Sequence, residues 1–201
     1  MHYLVTGHTG FKGAWLVLLL KKLGHEVSGL ALDPLPASLF EVAHVDTDLE
    51  YDFRVDVRDR DAVRRSILTA SPDVVIHLAA QPLVRESYRD PHTTFETNVM
   101  GTLHILEAVA QTSSVKAQVI ITTDKVYNNV NQAAGYVESD PLGGFDPYSS
   151  SKAMADLLTQ SWVNSFPGVP TAVARAGNVI GGGDVSPDRL LVDLVKDLKH
   201  G

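Results

Sequence analysis

His2-Tyr3-Leu4-Val5-Thr6-Gly7-His8-Thr9-Gly10-Phe11-Lys12-Gly13, continued by Ala14-Trp15-Leu16-Val17-Leu18-Leu19-Leu20, sets the fold class of this chain. The apolar run His2 to Val5 reads as a strand, the glycine-rich segment as a tight loop, and Phe11 to Leu23 as a helix. Gly7 suits the tight turn, Gly10 lets the backbone approach a pyrophosphate, and Gly13 permits close packing of helix on strand. The unpaired N–H groups and positive end of that helix favour a phosphate, with Thr9, Phe11 and Lys12 in the same loop. Ala14 to Leu20 is too short to span a bilayer and is bracketed by Lys12, Lys21 and Lys22, so a buried helix is expected, stopped by Gly24.

Working outward, a second strand, Glu26 to Leu32, delivers Asp33 about 20 residues after the glycines, the spacing of the ribose acid in a dinucleotide-binding unit. Its carboxylate would accept hydrogen bonds from the adenosine ribose and repel a 2′-phosphate, favouring NAD over NADP. The other reading of Asp33 is the opening residue of the turn Asp33-Pro34-Leu35-Pro36. Further apolar β-branched runs each end in small or polar residues. Val74-Val75-Ile76 precedes His77-Leu78-Ala79-Ala80-Gln81, Val119-Ile120-Ile121 precedes Thr122-Thr123, and Thr171 to Ala174 precedes Arg175-Ala176-Gly177-Asn178. Continuous apolar strands alternating with helical patterns predict an α/β fold, a doubly wound parallel sheet of Rossmann type covered on both faces. Ligands of such sheets bind beyond the carboxyl ends of the strands, where these polar groups would gather.

With 201 residues, 44% of them hydrophobic and 20% charged, the chain can bury a sizeable core, and one domain over 1–201 is expected. Net charge is −7 and the basic residues are scattered, which argues against a nucleic-acid surface. Arg58-Asp59-Arg60-Asp61 with Arg64-Arg65 reads as a solvated helix face. The absence of cysteine excludes disulfides and thiol catalysis. No signal peptide precedes the first strand, so a cytoplasmic protein free of membrane contact is expected. None of the eight histidines stands in an HxH or HExxH arrangement, and no metal is expected; His77, closing a buried strand, reads as structural.

Two segments carry the chemistry: Ile120-Ile121-Thr122-Thr123-Asp124-Lys125-Val126-Tyr127 and Tyr148-Ser149-Ser150-Ser151-Lys152. Tyr148 and Lys152 stand at i and i+4 and share a helix face, where an ammonium would favour the phenolate and bring it towards the working range of a base. A solvated helix face produces the same spacing.

Gly7-x-x-Gly10-x-x-Gly13, Asp56-Val57, Leu78-Ala79-Ala80, Asn98 and Tyr148-x-x-x-Lys152 together resemble the extended short-chain dehydrogenase/reductase family. Longer strings resemble its CDP-glucose 4,6-dehydratase branch. These are Gly7 to Gly13, Ala80-Gln81-Pro82-Leu83-Val84-Arg85, Leu142-Gly143-Gly144-Phe145-Asp146-Pro147-Tyr148-Ser149, and Arg175 to Asp184. The resemblance implies NAD as cofactor and a nucleotide sugar, CDP-glucose before others, as substrate. Tyr148, Thr123 and Lys152 would then serve oxidation at C4, and Asp124 and Lys125 would serve water elimination across C5 and C6. For Lys125 to act as a base it must be neutral, through burial or neighbouring cations such as Lys152.

The resemblance further implies cofactor contacts at Gly7, Thr9, Gly10, Phe11, Lys12, Gly13, Asp33, Asp56, Val57, Leu78, Ala79, Ala80, Gln81, Asn98, Thr122, Tyr148 and Lys152, and substrate contacts at Gln81, Arg85, Thr123 and Asn178. Arg85 also fits a plain surface residue. Family members usually carry an arginine at the position of Val137 and a tryptophan at that of Val185. The family continues beyond the helix expected over Asp188 to His200, so a C-terminal substrate domain is expected to be lacking here. Relatives often pair through helices corresponding to Asn98 to Gln111 and Tyr148 to Phe166, which makes a homo-oligomer an expectation. The alternatives are a sugar-nucleotide 4-epimerase or ketoreductase, and an NAD-binding module without turnover.

Overall fold

A computed structural model describes residues 1–200, apart from the side chains at 196, 199 and 200. Six strands form one all-parallel sheet: β1 (His2–Thr6), β2 (Glu26–Ala31), β3 (Asp52–Arg54), β4 (Val74–His77), β5 (Ala117–Thr123) and β6 (Thr171–Ala176). Their order is β3-β2-β1-β4-β5-β6, with Leu4 beside Ser28 on one side and Val75 on the other. The order reverses between β1 and β4, the point at which a doubly wound sheet opens a crevice for ligands. Strand β3 has only three residues and an exposed–intermediate–exposed pattern, too little apolar signal for the sequence to announce it.

The helices are α1 (Phe11–Lys22), α2 (Leu39–Val42), α3 (Arg60–Ala70), α4 (Val84–Arg89), α5 (Pro91–Phe95), α6 (Gly101–Ala110), α7 (Pro147–Ser165) and α8 (Leu190–His200). Successive strand residues point to opposite faces, so the sheet has two cores. Leu4, Leu30 and Val75 pack with Val63 and Ile67 of α3 and Ile105 and Val109 of α6. Val5 and Val27 pack with Ala14, Val17 and Leu20 of α1 and with Phe40 of α2. Each such buried Val, Leu or Ile contributes roughly 1.5–3 kcal/mol of burial.

Local signals set the ends. Pro147 begins α7 behind Asp146, whose side chain accepts from the Ser149 N–H at 3.0 Å. Asp59 caps α3 in the same way. Gly24, at φ +80°, closes α1, with its N–H on the Lys21 carbonyl and that of His25 on the Leu20 carbonyl. Two expectations need correction. Helix α1 is buried on one side only, with Trp15 48% and Leu19 53% exposed, and the loop after β6 reaches its outer face where Trp15 donates to the Gly182 carbonyl at 3.0 Å. The segment expected as one helix from Asn98 contains a π turn, Glu96–Met100, between α5 and α6. Wide turns of this kind are frequent at functional sites.

Candidate active site

The carboxyl edge of the sheet collects the residues singled out above. Gly7 follows β1 at φ +70°, and a Cβ there would meet the Ala79 nitrogen at 2.8 Å, so the glycine loop lies directly against Leu78-Ala79 after β4. A Cβ on Gly13 would strike the Gly7 carbonyl, which fixes glycine where α1 crosses the loop. Gly10 caps α1 with no side-chain hydrogen bond, and the first turn holds no acid, so its N–H groups remain available to an anion. Thr9 donates to the Leu32 carbonyl at 3.0 Å and ties this loop to the end of β2, where Asp33 stands exposed. Asp56 and Val57 follow β3; Arg58 beside Asp56 holds that carboxyl below its usual range.

The polar cluster stands at the end of β5. The Thr123 hydroxyl donates to Asp124 Oδ1 at 3.1 Å, Lys125 Nζ lies 3.6 Å from the same oxygen, and it donates to Asn178 Oδ1 at 3.1 Å. Lys125 is 42% exposed and faces a carboxylate, so the burial among cations expected of it is not found. The short turn after Thr123 aims this side chain outward, towards the loop that follows β6.

Tyr148 and Lys152 sit one turn apart on α7, with a half-buried phenol and a buried ammonium. Lys152 Nζ donates to the Ile121 carbonyl at 2.9 Å. Burial, then the charge of Lys12, lowers its pKa to about 8. The expected lowering of the phenol is not the net result: burial raises the Tyr148 pKa against smaller opposing effects of the Thr123 hydroxyl and of Arg189. The Lys152 ammonium is turned to the backbone of β5. Lys12 is itself lowered by burial and by Arg189, so three cations share this edge. Arg189 was not legible in the sequence, where a lone arginine before a helix carries no motif.

Gln81 and Asn98 turn inward. The Gln81 amide donates to Leu83 O at 3.2 Å and Thr94 Oγ1 at 2.8 Å and accepts from Leu83 N at 2.6 Å. Asn98 accepts from the Gln81 N–H and donates to the Gln81 carbonyl and to Ser151 Oγ. Both amides therefore brace the edge, with their N–H groups committed to the protein. Thr122 donates to Asp156, a fully buried carboxylate held by Arg175 at 2.9 and 3.1 Å. Arg85 is 78% exposed and paired with Asp188 at 3.0 Å, a surface position on α4. Among the described residues no helix is long and apolar enough to cross a membrane.

A doubly wound parallel sheet with a glycine loop at its switch point and a Tyr-x-x-x-Lys pair beside it defines a dinucleotide-dependent α/β domain. Comparison with known proteins is specific: the chain belongs to the NAD dependent epimerase/dehydratase family, which it matches over residues 3–201. It is 49% identical over 205 residues to CDP-glucose 4,6-dehydratase of Salmonella typhimurium, covering 98% of this chain and 57% of that protein. Among solved structures it resembles a double mutant of the dTDP-glucose 4,6-dehydratase DesIV of Streptomyces venezuelae with NAD bound, at a TM-score of 0.88 and 28% identity. The match covers all of this chain and 63% of that one. It likewise resembles the Thermus thermophilus UDP-glucose 4-epimerase in complex with NAD, at a TM-score of 0.84 and 31% identity, covering 98% of this chain and 61% of that one. The chain thus spans somewhat more than half the length of these relatives.

Proposed function

We propose that this chain carries the cofactor-binding and proton-transfer groups of an NAD-dependent sugar-nucleotide 4,6-dehydratase whose substrate is CDP-glucose. The observation that carries the reading is the grouping of Thr123, Asp124 and Lys125 at the end of β5 with Tyr148 and Lys152 at the start of α7. The uncapped first turn of α1 and the close approach of Gly7 to Ala79 fit a dinucleotide laid across the switch point, and exposed Asp33 fits its ribose. NAD, when bound, supplies a reversible store for one hydride.

Tyr148 takes the proton of the C4 hydroxyl as that carbon is oxidised, with Thr123 orienting the sugar. The charged Lys152 stabilises the phenolate once it forms. The ketone acidifies the C5 proton; a side chain of the Asp124–Lys125 pair removes it and the other protonates the departing C6 oxygen, releasing water. The hydride that bound NAD would give back at C6, with a proton delivered to C5 from the Asp124–Lys125 pair, would leave a 4-keto-6-deoxy sugar. Lys125 stands 3.6 Å from Asp124, an ion-pair distance that puts a potential base and a potential acid side by side. The 49% identity to a CDP-glucose enzyme favours that donor over other nucleotide sugars.

The test is to incubate the chain with NAD+ and a panel of nucleotide-glucose donors in heavy water and follow each by mass spectrometry for loss of water and by proton NMR for the configuration at C4. Loss of one water with one solvent deuterium retained, for CDP-glucose above the others, is the expected result. C4 inversion without loss of water would assign a 4-epimerase instead, and unchanged donors in the presence of bound NAD+ would refute turnover by this chain.

A further inference from the structure

His77, at the end of β4, is fully buried and joins two hydroxyls. Its Nδ1 lies 2.7 Å from Thr6 Oγ1 and its Nε2 lies 3.2 Å from Thr102 Oγ1. The proton positions follow from the partners alone. Thr6 Oγ1 accepts from the Ala79 N–H at 3.1 Å and from the Leu78 N–H at 3.1 Å, the latter shared with the Thr6 carbonyl at 3.2 Å, so both lone pairs are engaged. Its one proton must therefore go to Nδ1, leaving the ring proton on Nε2. Thr102 Oγ1 accepts that proton and gives its own to the Asn98 carbonyl at 2.7 Å. The side-chain hydroxyl and ring protons from Thr6 to Asn98 thus run in one direction. Burial, and secondarily the charge of Lys152, hold the ring pKa down at about 3, so it stays neutral throughout the working range.

The chain of hydrogen bonds begins one residue before the glycine loop and ends on the π turn. From there Asn98 grips the backbone of Gln81 and donates to Ser151 at 2.9 Å, and Ser151 donates to the Tyr148 carbonyl at 2.7 Å. Four segments distant in sequence are tied in this way: the ends of β1 and β4, the π turn with the start of α6, and the first turn of α7.

We propose that His77 is a positioning residue: as the neutral Nε2–H tautomer it links the strand end that carries the glycine loop to the π turn that holds α7, and so sets the spacing between the cofactor cradle and the Tyr148–Lys152 pair. The part concerning NAD+ rests on the function proposed above; the tautomer does not. Replacement by asparagine places an amide oxygen near the Nδ1 position and keeps the link to Thr6, while losing Thr102. Replacement by glutamine places an amide N–H near Nε2 and keeps the link to Thr102, while losing Thr6.

Ring ¹⁵N NMR of the whole chain and NAD+ affinity of the two variants test this. The expected results are one protonated nitrogen, Nε2, unchanged across the neutral range, NAD+ affinity near wild type in His77→Asn, and affinity about fivefold to tenfold weaker in His77→Gln, the worth of one hydrogen bond. Where the chain turns over, His77→Asn is the slower variant. An Nδ1–H or charged ring, or equal loss of affinity in both variants, overturns the proposal; a wild-type chain with the expected tautomer that fails to bind NAD+ refutes the cofactor reading instead, and with it the functional half of this one.

Discussion

Replacing Lys152 by methionine should make the folded chain more stable at neutral pH while removing its chemistry. The ammonium is buried, and burial together with the charge of Lys12 lowers its pKa from 10.5 to about 8. A drop of this size corresponds to about 3 kcal/mol by which folding disfavours the charged form. The sign follows from proton counts: between those two pKa values the unfolded chain binds more protons than the folded one, so stability rises with pH. The penalty is present in full below about 8, fades across the window and is gone above 10.5. Methionine has no such titration. The variant also loses the bond from Nζ to Ile121 O, about 1 kcal/mol, but that offset does not vary with pH. The expected advantage of Lys152→Met is therefore about 2 kcal/mol at neutral pH, disappearing and reversing slightly as pH rises through the window. Urea unfolding of both proteins at intervals from pH about 7 to about 10.5, with a common m-value, measures the difference. A difference flat across that range would refute the buried-charge account, whatever its sign. Loss of activity with a gain in stability is the pattern of a site held strained for function.

Further expectations are independent of that one. In a competent enzyme, Tyr148→Phe lowers the first oxidation by roughly 10²- to 10⁴-fold, read as cofactor reduction in a single turnover; near-normal reduction would remove the general-base role. Lys125→Met keeps NAD+ binding and C4 oxidation and loses water elimination, seen as an oxidised but undehydrated sugar; unchanged dehydration would return the base role to another group. Asp156→Ala strands the guanidinium of Arg175 and should cost about 3–5 kcal/mol in denaturant unfolding; a loss under 1 kcal/mol would mean that water replaces the carboxylate. Gly13→Ala drives a Cβ into the Gly7 carbonyl, and calorimetry should show a large fall in Tm even without ligand, whereas Gly24→Ala, with open space around it, loses only the left-handed backbone preference.

The sequence by itself determined what depends on neighbours along the chain. The strand–loop–helix of residues 2 to 22, the parallel class of the sheet and the shared face of Tyr148 and Lys152 all follow from spacing, which fixes local geometry before anything packs against it. The tertiary structure decided what depends on neighbours across the fold. Strand β3 pairs because β2 offers an edge, not because Asp-Phe-Arg is a strong strand sequence. Gln81 and Asn98 stand 17 residues apart in one dimension, yet the π turn brings them together and ties the Asn98 amide to the Gln81 backbone. The charge state of a side chain is non-local in the same way. Lys152 stands in the right place to lower the phenol pKa, but burial raises Tyr148, and Arg189, 41 residues further along the chain, opposes it. Desolvation and Coulomb interactions depend on what surrounds a group in space, and only the folded chain supplies those surroundings.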